Sequence, residues 1–216
     1  MRAVPWLEIA VFAAVVIADA AGYVPITQTL FLVPLIWLVL RLQRQPWAAL
    51  GWARPPSFAR AVAVGVVAGV AMELLAVHVT TPLISGAFGV EPDYSQFKPI
   101  EGNLKWLAIA VSASWVIAAF GEEICFRGFL MERLARVLGG GRAAWLASLV
   151  LSSALFGWGH TEQGVSGWIQ EGLSGFLLGA LFLGFGRNLT VPIVAHGVSN
   201  TVAFVLIYLG KYPGVG

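Results

Sequence analysis

The sequence is poor in charged residues and in cysteine. Only 11% of its 216 residues are Asp, Glu, Lys or Arg and 58% are hydrophobic, whereas about 25% of the residues in soluble domains are charged. This scarcity, with a mean hydropathy of +0.82, excludes a soluble domain and favours an integral membrane protein. The single cysteine, Cys125, excludes an internal disulfide and a Cys-rich metal cluster. No activating base follows it at a suitable spacing, so we predict a packing residue rather than a reactive thiol.

The sequence also lacks several features that would indicate other functions. A formal net charge of +2, scattered along the chain, provides no basic patch, so we expect no nucleic-acid partner. The only aspartates are Asp19 and Asp93, far apart in different surroundings, which excludes an intramembrane aspartyl protease of the presenilin type. The HExxH signature of many zinc proteases is missing as well.

What the sequence has instead is a series of apolar runs, each close to the length of a membrane-crossing helix, which needs about 20 residues. The runs cover residues 6–23, 24–41, 59–80, 104–130, 143–160, 168–186 and 190–209. They leave no room for a soluble domain. We therefore predict an all-α protein, a polytopic transmembrane helical bundle of seven or eight spans that forms one integral membrane domain over residues 1–216.

The distribution of basic residues predicts the orientation of these spans. With a cytoplasmic N-terminus, one side receives nine arginines, Arg2, Arg41, Arg44, Arg54, Arg60, Arg133, Arg136, Arg142 and Arg187. The other side receives only Lys98, Lys105 and Lys211. Cytoplasmic loops are enriched in Lys and Arg, so we predict that the N-terminus is cytoplasmic and the C-terminus external. The first run also resembles a signal peptide ending at Ala18-Asp19-Ala20, but we expect it to be a retained helix because the n-region is weak.

Three polar clusters interrupt the apolar runs. They are Glu122-Glu123-x-x-x-Arg127, Phe156-x-x-x-His160 and His196-x-x-x-Asn200. Polar and ionisable groups inside a membrane are costly and mark functional sites. The clusters therefore predict an active site within the bilayer.

The spacing within each cluster suggests a division of roles. Residues four apart share one face of a helix, so Glu123 and Arg127 can form an ion pair. The same spacing predicts that Phe156 and His160 share one helical face, and that His196 and Asn200 share another. Glu122 then points elsewhere and is free to act as a general base for water. A carboxylate, two imidazoles and an amide suffice to hydrolyse an amide bond. In this scheme Glu122 and His160 hold and deprotonate a water, while His196 and Asn200 donate to the developing oxyanion.

The depth of the clusters in the bilayer presents a difficulty for this scheme. His160 lies 18 residues from Arg142, or about 27 Å along an ideal helix. His196 lies nine residues from Arg187, or about 14 Å. A tilted helix, a helix broken at Gly157 and Gly159 or a deep cavity must bring the two histidines together.

Four other polar residues lie within or near the apolar runs but far from the clusters. They are Asp19, Glu73, His78 and Glu171. Isolated residues of this kind favour helix packing or an interfacial position over direct chemistry. Glu171 closely follows Gly164–Gly167, which we predict to be a loop, so it could border the same external vestibule.

Together the three clusters resemble the motifs of the CPBP family, which groups type II CAAX prenyl endopeptidases with bacteriocin-processing and immunity-type bacterial membrane proteins. The motifs EExxxR, FxxxH and HxxxN stand here at residues 122–127, 156–160 and 196–200. The resemblance extends over about residues 104–209, the expected catalytic core. It implies a glutamic-type intramembrane endopeptidase, with Glu122, His160, His196 and Asn200 catalytic and Glu123, Arg127 and Phe156 supporting them.

The resemblance also bears on cofactor, substrate and location. Members were long described as metalloproteases, and Glu122, His160 and His196 could in principle bind zinc, but we expect no cofactor. The implied substrate is a membrane-anchored protein or peptide, and the short chain looks bacterial, which suggests the plasma (inner) membrane. Neither the cleavage sequence nor prenylation of the substrate can be read from these residues.

Three alternatives remain open. Gly164-Val165-Ser166-Gly167 matches the GxSG of rhomboid serine proteases, but the order of Ser166 and the histidine motif differs from theirs. A non-catalytic immunity or scaffold protein of the same family could keep the motifs. A small transporter would be expected to show paired broken helices in matching halves, and no internal repeat is apparent.

Overall fold

The computed structural model describes residues 5–215 and shows helices joined by short connections. Its continuous helices are α1 (Pro5–Ala20), α2 (Thr29–Gln43), α3 (Phe58–Phe88), α4 (Leu104–Val137), α5 (Arg142–Trp158), α6 (Gly164–Gly184) and α7 (Thr190–Tyr208). Short 3₁₀ turns occur at Trp47–Leu50, Ser95–Ile100 and Thr161–Gln163. No strand occurs between residues 5 and 215, which confirms the predicted all-α class.

The apolar runs coincide with helices, although their boundaries differ. The second run begins as a helix at Thr29 rather than at residue 24, because residues 21–28 form turns and bends. The Gly164–Gly167 segment, expected to be a loop, is the first turn of α6. Within residues 5–215, three helices, α3, α4 and α7, are long and apolar enough to cross a membrane. The number of crossings therefore remains a prediction.

Local sequence explains where two of these three helices begin. The side chain of Ser57 accepts a hydrogen bond from the backbone N–H of Arg60 at 3.4 Å and caps α3. The side chain of Asn103 accepts one from the N–H of Trp106 at 3.3 Å and caps α4. Such caps satisfy N–H groups that have no partner within the helix.

The middle of α4 is wound differently from the other helices. Residues Ser114–Leu130 form a π-helix, as do Ala76–Thr80 within α3. π-Helical turns are rare and are often found at functional sites. The first polar cluster lies inside the longer of these segments, where every residue from Gly121 to Leu130 is buried.

Aromatic side chains connect α1 to the centre of the bundle. The ring of Phe12 lies edge-on to that of Phe126 with centroids 5.2 Å apart, and Phe126 contacts Phe156 in the same way at 5.0 Å. None of the three rings is more than 1% exposed. Each buried aromatic side chain contributes a large apolar area to the core. Helix α1 is thus part of the core that supports the second motif.

Helices α3 and α7 pack closely through glycines of α3. A Cβ atom at Gly69 would lie 2.4 Å from the carbonyl oxygen of Ala195, and one at Gly65 would lie 2.6 Å from Cβ of Val194. Both distances are too short for real side chains. Small residues of this kind let membrane helices approach each other, and here they hold the third motif in place.

The connections gather at two ends of the bundle. At one end Leu189 N–H donates to Gly51 O at 3.1 Å, and Arg133 of α4 forms an ion pair with Glu8 of α1. At the other end Asp93 N–H donates to Gln163 O at 3.0 Å. This division matches the two groups of loops expected from the arginine distribution. Which end faces the cytoplasm remains a prediction.

Candidate active site

A cavity of about 540 Å³ opens near the end of the bundle that is predicted to be external. Its walls include Glu122 of α4, His160 after α5, and His196 and Asn200 of α7. The four residues predicted to be catalytic come from three distant stretches of sequence and line one space. Glu122 and His196 are each 8% exposed, so both are nearly enclosed by protein.

His160 does not lie on a helical face with Phe156, contrary to the expectation from the spacing. Helix α5 ends at Trp158, and His160 follows in the turn that leads to Thr161–Gln163. Nδ1 of His160 lies 2.8 Å from the carbonyl oxygen of Phe156. A carbonyl only accepts, so Nδ1 carries the proton and Nε2 is the free nitrogen. Of the three alternatives for bringing the two histidines together, a helix end close to Gly157 and Gly159 is therefore present, just beyond Trp158.

Gly159 allows this turn to pack against the connection between α1 and α2. A Cβ atom at this position would lie 2.6 Å from Nε2 of Gln28. Gln28 is 2% exposed and its backbone N–H donates to Oδ2 of Asp19 at 3.1 Å. The N-terminal helices thus form one wall of the cavity beside His160.

The predicted pair between Glu123 and Arg127 is confirmed. Nη1 of Arg127 donates to Oε1 of Glu123 at 2.8 Å, and neither side chain is more than 1% exposed. Nη2 donates to the carbonyl oxygen of Gly175 at 3.0 Å. The guanidinium carbon lies 4.4 Å from the centre of the Phe156 ring. Arg127 therefore connects α4 to α5 and α6.

His196 binds the same carboxylate oxygen as Arg127, a contact that the sequence pattern does not reveal. Its Nδ1 lies 2.9 Å from Oε1 of Glu123. The carboxylate accepts, so Nδ1 carries a proton and Nε2 faces the cavity side. Nε2 lies 4.0 Å from Oε2 of Glu122, too far for a direct hydrogen bond but suitable for a bridging water.

Phe156 contributes packing to both imidazoles. Its ring centroid lies 4.8 Å from that of His160 and 6.3 Å from that of His196. The side chain is 1% exposed. Phe156 thus holds the two histidines from one side, as expected of a supporting residue.

Some polar residues first assigned to packing or an interfacial position also line the cavity. Asp19, Glu73 and Glu171 are among the residues in its walls, whereas His78 is not. Oε2 of Glu73 accepts a hydrogen bond from Ser199 Oγ at 2.7 Å. For Glu171 the expectation that it borders the vestibule is confirmed. The sequence feature that could have predicted a functional position for Glu73 is its carboxylate near the middle of an apolar helix.

The described residues do not assemble a metal centre. Between residues 5 and 215 no three His, Cys, Asp or Glu side chains are grouped closely enough to hold an ion. The alternative ligand set of Glu122, His160 and His196 therefore does not fit zinc in this conformation, and no step of the chemistry is assigned to a metal.

Two other candidate nucleophiles lie outside the cavity. Ser166 is fully buried, and its hydroxyl donates to the carbonyl oxygen of Val90. It is not part of the cavity walls, so the rhomboid alternative has no support. Cys125 is also fully buried, as predicted for a packing residue.

Comparison with known proteins gives one family match, to the part of the chain that contains the three motifs. Residues 104–202, a little under half of the chain, match the family model described as type II CAAX prenyl endopeptidase Rce1-like. No curated protein and no solved structure matches the chain significantly. The matched segment contains all three motifs, the whole of α4 and the greater part of α7, which are two of the helices long enough to cross a membrane. Residues 104–202 thus match the Rce1-like type II CAAX prenyl endopeptidases, and this match, together with helices long enough to cross a membrane, indicates an integral membrane protein.

Proposed function

We propose that the protein is an intramembrane endopeptidase that hydrolyses a peptide bond of a membrane-anchored protein or peptide. One observation carries the proposal: Glu122, His160, His196 and Asn200 line a single cavity although they come from three separate motifs. The family match supports the reaction class. The proposed location is the bacterial plasma membrane, with a cytoplasmic N-terminus.

In the proposed first step, the carboxylate of Glu122, assisted by Nε2 of His160, takes a proton from a water in the cavity. The resulting hydroxide attacks the carbonyl carbon of the scissile bond, and the carbonyl oxygen becomes an oxyanion. General base catalysis by a positioned side chain contributes about 10²- to 10⁴-fold to a rate. The enclosed position of Glu122 strengthens this effect because little bulk water competes for the carboxylate.

In the proposed second step, the oxyanion accepts hydrogen bonds from the amide of Asn200 and from His196. Nδ1–H of His196 already donates to Glu123, so Nε2 donates to the oxyanion only when the ring is cationic. Glu123 stabilises that cation at a distance of 2.9 Å. The intermediate then collapses, the C–N bond breaks, and the proton held by Glu122 passes to the leaving amine.

The test is cleavage of membrane-derived peptides by the purified protein in nanodiscs. We expect Glu122→Ala and His160→Ala each to lower the rate by at least about 100-fold, with no effect of a chelator. Glu101→Ala, an exposed carboxylate outside the cavity, is the matched control and should retain full activity.

Each other outcome has a defined meaning. Sensitivity to the chelator would restore a metal, and cleavage unaffected by both cavity substitutions would disprove the proposed site. The absence of cleavage by the wild-type protein against the whole library would favour the non-catalytic immunity or scaffold alternative.

A further inference from the structure

The walls of the cavity are acidic beyond the needs of the proposed reaction. In addition to Glu122, four carboxylic acids line it, Asp19, Glu73, Glu162 and Glu171. Among the described residues, no Lys or Arg contributes to these walls. Only His160 and His196 can carry a positive charge there. The cavity therefore favours cations and disfavours anions.

Buried hydrogen-bond acceptors in the same walls point to the nature of a ligand. Oε1 of Glu73 is buried and accepts no hydrogen bond within 3.5 Å among the described residues, although the Tyr212 hydroxyl lies near this carboxylate. Oε1 of Gln28 and Oε1 of Gln163 are also buried and accept no hydrogen bond among these residues. The three residues are 6%, 2% and 5% exposed and all line the cavity. Buried acceptors without a donor are costly and uncommon, so a ligand rich in N–H donors matches this wall.

Two of the carboxylates adjoin the oxyanion residues of the proposed mechanism. Glu73 and Glu171 line a small side cavity of about 40 Å³ together with His196 and Asn200. Ser199, which donates to Glu73, is part of the HxxxN motif. The acidic side of the cavity is thus next to the place where the scissile carbonyl would sit.

Two tyrosines complete this region. Tyr94 and Tyr212 line both the main and the side cavity. Burial, together with the charges of Glu171 and Glu73, raises the pKa of the Tyr94 hydroxyl. Tyr94 therefore stays neutral and adds no negative charge. We name Glu73, Glu171, Tyr94 and Tyr212 the acidic subsite.

We propose that the acidic subsite binds a cationic side chain, lysine or arginine, of the peptide next to the scissile bond. This inference rests on the proposed function and specifies its substrate class. An ammonium or guanidinium group brings several N–H donors and no acceptor, which matches two neighbouring carboxylates, one of them Glu73 with its unpaired Oε1. A substrate whose free C-terminal carboxylate enters the same space is disfavoured, because like charges repel strongly in a poorly screened cavity.

Binding can be tested separately from catalysis with the His160→Ala protein in nanodiscs. The probes are fluorescent apolar octapeptides with a blocked C-terminus that carry one lysine, norleucine or glutamate at each position in turn. A fourth probe has a free C-terminal carboxylate. We expect the best lysine probe to bind about tenfold more tightly than its norleucine counterpart, the change produced by one favourable charged contact. The glutamate and free-carboxylate probes should bind more weakly than norleucine.

Three variants in this background localise the effect. Glu73→Gln and Glu171→Gln should reduce the preference for lysine to less than about threefold, because each retains the shape of the side chain but removes its charge. Glu101→Gln, the exposed control, should leave it unchanged. Should one of the two cavity variants fail to fold, the other still provides the test.

Equal binding of lysine and norleucine probes, or a preference that survives both cavity substitutions, would overturn the inference. Its failure is distinguishable from that of the proposed function. A lysine preference in binding without cleavage by the wild-type protein would leave the subsite standing and refute the protease. Cleavage by the wild-type protein without any preference for lysine would support the protease and refute the subsite.

Discussion

At the scale of single residues, one carboxylate oxygen organises the site. Oε1 of Glu123 accepts hydrogen bonds from both Arg127 and His196, at 2.8 and 2.9 Å. It thereby joins the first motif to the third and sets which nitrogen of His196 carries the proton. A buried carboxylate of this kind is tolerable because a cation and an imidazole N–H donate to Oε1, although Oε2 has no hydrogen-bond partner among the described residues.

Two ion pairs of α4 with the same spacing allow a matched test. Arg127→Gln should lower the free energy of unfolding by about 3–5 kcal/mol, because it leaves buried Glu123 without its cation. Arg136→Gln breaks the pair with Glu132, in which Arg136 is 39% exposed, and should cost less than about 1 kcal/mol. Unfolding of both proteins by denaturant in detergent measures the difference. Similar losses for the two would mean that burial does not set the strength of these pairs.

The sequence predicted only part of this arrangement. The Glu123–Arg127 pair follows from a spacing of four on a helix. The contact between Glu123 and His196 joins residues 73 positions apart, and no local pattern encodes it. The place of His160 beyond the helix end was predicted wrongly as a helical face, because the FxxxH spacing also suits a turn whose ring nitrogen binds the carbonyl of Phe156.

At the scale of secondary structure elements, close approach of α3 and α7 positions the third motif. Glycines of α3 face α7 at distances that admit no side chain. The apolar runs predicted that these helices exist, since runs of this length have few alternatives in a membrane. The sequence did not predict which helix packs against which, because both helices are apolar on most faces. Hydrophobicity alone therefore does not indicate which face of each helix contacts a neighbour.

Two glycines of α3 separate the effect of packing from that of helix propensity. At Gly69 an added Cβ would meet a backbone carbonyl at 2.4 Å, whereas at Gly86 nothing lies within 4 Å. Gly69→Ala should destabilise the protein by about 1–3 kcal/mol through overpacking and reduce cleavage by displacing His196. Gly86→Ala should be neutral or stabilise by up to about 1 kcal/mol, because alanine favours helix. Thermal unfolding and peptide cleavage measure both. Equal behaviour of the two variants would refute the packing role of Gly69.

The third motif also depends on Trp115 of α4. A Cβ atom at Gly197 would lie 2.6 Å from three atoms of the Trp115 ring, and Nε1 of this ring donates to Thr201 at 3.1 Å. Gly197→Ala should therefore reduce cleavage at least about tenfold through a shift of His196, since small displacements of catalytic groups are costly. A double variant Gly197→Ala with Trp115→Leu should recover part of the lost rate. If the added Trp115→Leu substitution restores no activity, a clash between residue 197 and the Trp115 ring is not the cause of the loss.

At the scale of the whole molecule, the connections separate into two groups at opposite ends. The arginine-rich loops lie at one end and the loops around Asp93, Gln163 and Gly214 at the other. The charge distribution predicted this grouping well, because it reflects how the chain crosses a membrane. The absolute orientation is a property of the membrane and has to be measured.

Cysteine labelling tests that orientation directly. The native Cys125 is fully buried, so the folded chain should be silent toward a membrane-impermeant maleimide. In spheroplasts we expect Glu101→Cys and Lys211→Cys to be labelled from outside. Arg54→Cys and Arg142→Cys should react only after the cells are lysed. All four native side chains are exposed, so a difference in labelling between the variants reports the side of the membrane. Labelling of Arg54→Cys from outside would show that the topology is the reverse of the predicted one.

The position of the cavity has a consequence for the minimal active fragment. Residues 104–202 carry the recognisable motifs, yet Gln28 beside His160 and Glu73 beside Ser199 come from the preceding half of the chain, as does Phe12 in the core. The boundary of the family match is therefore not the boundary of an autonomous folding unit. Excised alone, that segment would expose its buried aromatic rings and lose two walls of the chamber. A change in the N-terminal helices would therefore alter two walls of the chamber while the residues of the three motifs stay the same.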